Sequence, residues 1–332
     1  SNNRKGVPDT IQTNDDIRYN NFSVFTQGDI SLNGEWFITA GASINRAEVN
    51  FRRLNVYPVT VQDITYKNEW APRLALLRKI GRNNSVFASV TRGFSPPGIS
   101  ELLPSTGVIT TNLQAEEGIN YELGGRAALL DGHLHLEAIG FYFNLNHALV
   151  TRKDLSGADY YVNAGNTRQR GIEGSADYTQ FFHHSIIEYI SIQSALTLSD
   201  FTYGSYQKEA TSYNGNRLPG VPQHTLSVVA DLQSARGFYI NTTWYSSAKI
   251  YLDDANSATA DPYKLLGARI GWKRAMASGI RLNIYGGADN LLDENYSLGS
   301  DINAAGGRYY NPAARRNYYA GLALQWVAKP KQ

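Results

Sequence analysis

Apolar and polar residues alternate along most of this chain. Across residues 22 to 32, Phe22, Val24, Ile30 and Leu32 hold one parity and Ser23, Gln27, Asp29 and Ser31 the other. That is the two-residue period of a β-strand with unlike faces. Asn33-Gly34 follows, a strong hairpin signal because both residues tolerate positive φ, and Trp36, Ile38, Ala40, Ala42 and Ile44 then alternate with Thr39, Gly41, Ser43 and Asn45. The pattern returns in Ile119, Tyr121, Leu123, Ala127 and Leu129, in Ile190, Ile192, Leu196 and Leu198, in Ile280, Leu282, Ile284 and Ala288, and in shorter runs through Phe238, Leu266 and Leu322 to Trp326. About thirteen strands are predicted, most of them about 10 to 13 residues long, whereas globular strands average about 5 to 6. Residues 134 to 145 alternate poorly and change apolar parity near Ala138 and Ile139, which predicts a β-bulge.

The connections alternate too. Asn33-Gly34, residues 81 to 84, Asp131-Gly132, and residues 182 to 185, 234 to 237 and 275 to 279 are tight turns. Between them lie longer stretches near 46 to 69, 96 to 117, 146 to 168, 199 to 223, 249 to 262 and 291 to 314. Long loops are uncommon in a compact soluble domain. Their strict interleaving with tight turns describes an up-and-down sheet with one plain and one elaborate rim, the layout of a barrel in a bacterial outer membrane. Tyr121, Trp244, Trp272, Tyr318 and Trp326 fall near strand ends on the apolar parity, where interfacial girdles sit. The predicted fold class is therefore all-β, an antiparallel up-and-down transmembrane β-barrel. The competing architecture is a soluble sandwich or barrel whose apolar parity faces a core. With the tight turns on the periplasmic side, thirteen strands is an odd number and the first strand runs inward. An antiparallel bacterial barrel closes with an even number, so further strands are expected ahead of Ser1. A strand formed by Val59, Val61 and Ile64 with Tyr57 and Tyr66 is the alternative that would change the tally.

Composition narrows the chemistry. The 332 residues contain no cysteine, one methionine, 30 glycines, 22 tyrosines, 12 phenylalanines and 5 tryptophans. Disulfide scaffolds, thiolate metal sites and cysteine nucleophiles are excluded. Charged residues make up 18% of the chain, below the roughly 25% of ordinary soluble domains. The net charge of +2 gives no basic excess for a nucleic-acid partner. No apolar run approaches the roughly 20 residues of a membrane helix, and the amino terminus carries no signal-peptide pattern. Any export signal is expected to lie outside this chain or to have been removed.

Catalytic constellations are scarce. The six histidines form no metal-binding frame; His133 and His135 share a strand face but follow the Asp131-Gly132 turn, where polar residues are expected. Glu116-Glu117, Asp253-Asp254 and Asp293-Glu294 read as solvated loop acids, with a calcium site or a paired-carboxylate hydrolase as the alternatives. Neither a catalytic residue, a bound metal nor a cofactor is expected. Arg52, Arg53, Arg308, Tyr309, Tyr310 and Arg315 lie in or beside the predicted long loops, as do Tyr203 and Tyr206. Guanidinium forks pair with planar anions and aromatic rings stack on flat ligands, so these eight are the candidate ligand-binding residues, and an anionic metal chelate is the expected ligand.

Ordered motifs add a resemblance. Arg92-Gly93-Phe94-Ser95-Pro96-Pro97 is followed by Leu113-Gln114-Ala115-Glu116 and Tyr121-Glu122-Leu123-Gly124. Asn163-Ala164-Gly165, Arg170-Gly171-Ile172-Glu173-Gly174, the run from Asn216 to His224, and Asp289-Asn290-Leu291-Leu292-Asp293-Glu294-Asn295-Tyr296 follow in order. From about residue 85 to Trp326 the chain resembles the carboxy-terminal barrel region of TonB-dependent outer-membrane receptors, particularly the ferric-siderophore group. The resemblance implies a 22-stranded barrel filled by an amino-terminal plug, with ligand held between outer loops and plug and released through TonB. Residues 1–332 would then be the carboxy-terminal portion of that barrel, with the plug absent from this chain. The implied partners are a ferric siderophore or other metal chelate, outer-membrane lipid, and the TonB complex through the plug region. The implied location is the outer membrane of a Gram-negative bacterium. A plug-less passive pore and a soluble β-rich carbohydrate-binding protein are the competing functions. The chain departs from many such barrels in running six residues past Trp326.

Overall fold

The computed structural model describes residues 2–4, 7–10, 13–104, 107–154, 157–163, 165–208, 210–276 and 279–326. Ser1, Ala164 and the stretch after Trp326 fall outside the described residues. Thirteen long strands form the wall: β1 (Asp15–Leu32), β2 (Trp36–Arg53), β3 (Glu69–Ile80), β4 (Asn84–Ser95), β5 (Glu116–Leu129), β6 (Leu134–Asn146), β7 (Asn166–Phe181), β8 (Ile187–Ser205), β9 (His224–Ser234), β10 (Phe238–Ser247), β11 (Tyr263–Ala275), β12 (Ile280–Asp289) and β13 (Asn317–Trp326). Each pairs antiparallel with its chain neighbours, so the spatial order is the chain order. Thr60–Thr65 forms the extra arm that the sequence left open, pairing with the upper half of β2 where β3 no longer reaches it. Among the described residues, the outer edges of β1 and β13 carry no partner strand.

The two faces of this sheet invert the pattern of a soluble protein. Along β4, Val86, Ala88 and Val90 are exposed while Phe87 and Ser89 between them are partly covered. One hydrogen-bonded row passes through Ile30, Ile38, Leu76, Ala88, Leu123, Gly140, Ile172 and Leu198. Leu123 in that row is 68% exposed and Ile172 51%. Burying a large apolar side chain is worth about 1.5–3 kcal/mol, and a water-soluble domain would not forgo it in row after row. A wall that faces hydrocarbon forgoes nothing. The shortest wall strands have 10 residues, within the 9–11 needed to cross a bilayer at a tilt.

Polar side chains hydrogen-bond to one another across the opposite face. Thr39 Oγ1 donates to Asp29 at 2.6 Å, Ser89 Oγ to Glu122 at 3.1 Å, and Tyr239 Oη to Asn283 at 2.9 Å. This face also corrects the predicted bulge. Pairing of β6 with β5 and β7 runs without a register shift from Leu134 to Asn146. Ile139, Phe141 and Phe143 instead place apolar side chains on the polar face. The reason is glycine on the flanking strands: a Cβ at Gly118 would lie 2.5 Å from the Phe143 ring, and one at Gly171 2.7 Å from Phe141. The rings lie over backbone that no side chain shields. The apolar parity changes while the strand stays straight.

The six tight turns fall where the alternation put them, at one rim, with residues 277–278 of the last outside the described residues. At the other rim the connections build their own structure: paired strands at Leu149–Lys153 and Asp159–Asn163, Gln207–Lys208 and Thr211–Ser212, Ile250–Tyr251 and Thr259–Ala260, and Ser297–Ser300 and Tyr310–Pro312. Two small apolar cores sit there. One gathers Ala47, Val49, Tyr66, Leu102 and Leu113; the other is centred on Tyr203 and Tyr206.

Candidate ligand-binding rim

Asp254 holds the elaborate rim together. It lies in the β10–β11 connection and is 5% exposed. Its Oδ1 accepts hydrogen bonds from Tyr203 Oη at 2.8 Å and Asn303 Nδ2 at 3.1 Å, and its Oδ2 accepts one from Tyr206 Oη at 3.1 Å. Asn303 Oδ1 accepts from the Asp254 amide at 3.0 Å, and Asn216 Nδ2 donates to the Asp254 carbonyl at 2.9 Å. Arg152, from the β6–β7 connection, donates to Tyr206 Oη. Three connections therefore meet at one carboxylate, and a fourth reaches it through Tyr206. Burial, and then the neighbouring Asp254 charge, push the Tyr206 phenol above its ordinary value, so it stays protonated and keeps donating. Asp254 was expected to be a solvated loop acid, and the fold makes it a buried acceptor. Asp253 beside it caps its own turn, accepting from the Ser257 amide at 2.7 Å.

Beneath these connections lies a hollow of about 540 Å³ whose lining includes Tyr245, Tyr263, Tyr296, Tyr310, Asp261 and Ser300. Tyr245 and Tyr263 come from the ends of β10 and β11, on the parity of Tyr239 and Arg269, so the hollow opens toward the polar face. Tyr263 and Tyr296 stack with centroids 5.0 Å apart and planes at 25°. Such a surface suits a flat or aromatic ligand.

The eight candidate residues fall into separate groups. Tyr203 and Tyr206 stand together at Asp254, 1% and 3% exposed. Arg308, Tyr309 and Tyr310 follow one another on the β12–β13 connection, with Arg308 and Tyr310 exposed and Tyr309 partly so. Tyr310 Oη donates to the Thr259 carbonyl at 2.8 Å, and burial, followed by Asp253, raises the Tyr309 phenol. Arg315 forms a fork with Asp293, Nη2 to Oδ2 at 2.7 Å and Nε to Oδ1 at 3.0 Å. Arg52 is exposed at the end of β2. Arg53 pairs with Asp15 at 2.9 Å and donates to the Gly107 carbonyl at 2.8 Å. The last two are eight strands or more from the tyrosine hollow and join no cluster with Arg308. Sequence reasoning missed Asp254, Tyr245, Tyr263 and Tyr296. For Tyr245 and Tyr263 the available signal was tyrosine recurring at the loop-side ends of β10 and β11.

The Asn290-to-Tyr296 motif is a clamp at the base of its connection. Asn290 takes φ of +50°, accepts from the Glu294 amide at 2.8 Å and donates to the Glu294 carbonyl at 2.9 Å. Arg315 then locks Asp293. The Arg315 hydrogen bond, with a further one from the Arg316 amide, holds the Asp293 carboxyl below its ordinary value.

The profile of the family described as TonB dependent receptor-like, beta-barrel matches residues 1–291, and the chain belongs to that family. A metal-pseudopaline receptor, CntO of Pseudomonas aeruginosa, is 25% identical over 310 residues, covering 91% of this chain and 38% of that receptor. Among solved structures, the siderophore receptor PiuA from Acinetobacter baumannii superposes with a TM-score of 0.73 at 20% identity, covering 93% of this chain and 43% of that one. The ferric yersiniabactin uptake receptor FyuA from Yersinia pestis gives 0.66 at 18% identity, with 93% and 45% covered. The likeness to the two solved structures concerns the fold. The chain spans less than half the length of each of these relatives.

Proposed function

We propose that this chain forms the carboxy-terminal part of the barrel of a Gram-negative outer-membrane receptor that takes up a ferric siderophore or similar metal chelate. The observation that carries the reading is the tyrosine hollow, opening on the water-facing side of a wall whose apolar side is bare. The family consists of receptors and transporters, and the relatives' names concern siderophores and metal chelates. In this reading the short turns face the periplasm and the elaborate rim faces outward. Arg308, Tyr309 and Tyr310 meet the chelate beside Tyr245, Tyr263 and Tyr296, with rings stacking on it and the guanidinium pairing with its carboxylates or phenolates. Arg52 offers a further cation on the opposite flank. Tyr203, Tyr206, Arg53 and Arg315 serve the ligand indirectly, by fixing the loops that surround it. The work is binding and gated translocation without covalent chemistry, powered through a plug and TonB.

Uptake of a labelled ferric chelate by cells carrying the full-length receptor is expected to vanish when TonB is deleted. Persisting TonB-independent flux would favour a passive pore and count against the proposal.

A further inference from the structure

The apolar face carries a second hollow that ligand uptake does not use. It has a volume of about 790 Å³ and spans β5 to β8. Its floor is Gly140, set between Leu123 and Ile172 in one hydrogen-bonded row. Where the neighbouring rows carry side chains, this position has none, and a trough opens toward the hydrocarbon. The next apolar-face row toward the elaborate rim runs Tyr121, Tyr142, Arg170 and Asp200. The trough therefore ends in a tyrosine pair, 6.5 Å between centroids, and a charged cluster at the height where aromatic girdles meet headgroups.

The charges there do not cancel. Asp200 holds two guanidinium groups side by side, Arg170 Nη2 on Oδ2 at 2.7 Å and Arg217 Nη1 on Oδ1 at 3.1 Å. Arg168 is exposed two residues further along the same parity. Three arginines against one aspartate leave a local charge of +2. Arg92, in the row of Arg168, is by contrast matched by two carboxylates, Glu69 and Glu117, each at 2.7 Å. Forked donors placed at headgroup height above an open apolar trough match a phosphate joined to acyl chains.

We propose that this trough is a binding site for an acylated lipid of the outer leaflet whose phosphate leaves the headgroup with net negative charge. Its acyl chain lies along Leu123, Gly140 and Ile172, and its phosphate is gripped by Arg170 and Arg217. The inference rests on the membrane placement argued above. Asp200 sits between the two forks and offsets one of their charges.

The test uses the full-length receptor, purified in mild detergent, with lipid A as the anionic probe and phosphatidylcholine, whose phosphate is offset by its choline cation, as the zwitterionic control. Retained lipid is measured by native mass spectrometry, and heat-modifiable migration reports the folded barrel. Wild type is expected to retain lipid A in preference to phosphatidylcholine. The Arg170→Gln/Arg217→Gln pair should hold lipid A about tenfold or more weakly. Asp200→Asn, which removes only negative charge, should hold it at least as well as wild type. Gly140→Leu should lower retention of both lipids, since a Cβ there meets only the Leu123 carbonyl at 3.9 Å and the new side chain fills the trough. Equal retention by the arginine pair, or no wild-type preference for lipid A, in a folded barrel would overturn this site alone. A receptor that stays monodisperse without detergent would overturn the membrane placement and the site with it.

Discussion

Asp293 shows how one residue at a strand end governs a loop. Its folded carboxyl lies below the unfolded value of about 3.9, because Arg315 and the Arg316 amide bind the charged form. A depressed carboxyl contributes stability that is fully present above the unfolded value and is lost as pH falls through the folded one. The clamp should therefore be indifferent to pH near neutrality and open below about pH 4. Protease nicking within residues 290–316, measured against pH, checks this, and Asp293→Asn should nick readily at every pH. Gly271 and Gly321 make a different kind of local demand. A Cβ on them would lie 2.4 Å from the Tyr239 ring and 2.3 Å from the Tyr285 ring, and the row Tyr239, Gly271, Tyr285, Gly321 alternates ring with bare backbone. Gly321→Val should lower the melting temperature of the folded barrel, at an overpacking cost of about 1–3 kcal/mol. The double variant with Tyr285→Ser should recover part of that loss.

A wall strand distinguishes its two environments residue by residue. On β3, Leu76 is 40% exposed and stands on the apolar face in the row of Leu123 and Ile172, between Trp70 toward one rim and Arg78 toward the other, where the Arg78 guanidinium lies 5.0 Å over the Trp36 ring. Those flanks mark interfaces, so Leu76 lies within the hydrocarbon. Leu76→Arg should cost about 2–4 kcal/mol of barrel stability, as charges deep in a bilayer do. Ala75→Lys, one residue along and facing the polar side, should cost much less. Urea unfolding in lipid vesicles measures both. Equal costs would mean that the two faces do not differ in solvent. β6 shows the limit of such reading: its alternation looks broken because Phe141 and Phe143 cover Gly171 and Gly118 on neighbouring strands. A strand read alone shows the rings but cannot show the glycines they serve.

At the scale of the whole molecule, the outer rim behaves as one unit because its connections share Asp254. A buried carboxylate replaced by its amide keeps one acceptor oxygen but sets an N–H where the other accepted, and each unsatisfied buried group costs roughly 1–3 kcal/mol. Asp254→Asn should raise amide exchange together in residues 147–154, 206–208, 211–223, 248–262 and 295–313, while the wall stays protected. Exchange confined to 248–262 would show that the four connections are independent. Chelate affinity should fall in the same variant, since Tyr263 and Tyr296 in the hollow are positioned by two of those connections.

The chain by itself determined the class, the thirteen wall strands, the six tight turns and the membrane face. Each of these follows from a period of two and from local turn chemistry, which act between neighbours in sequence. Tertiary structure alone decided that Asp254 is buried, that Tyr203 and Tyr206 serve it rather than solvent, that Arg52 and Arg308 stand on opposite flanks, and that Gly140 opens a trough beside Arg170. Those outcomes depend on which loops and strands meet across the sheet, and hydrophobic alternation carries no information about partners that lie dozens of residues away.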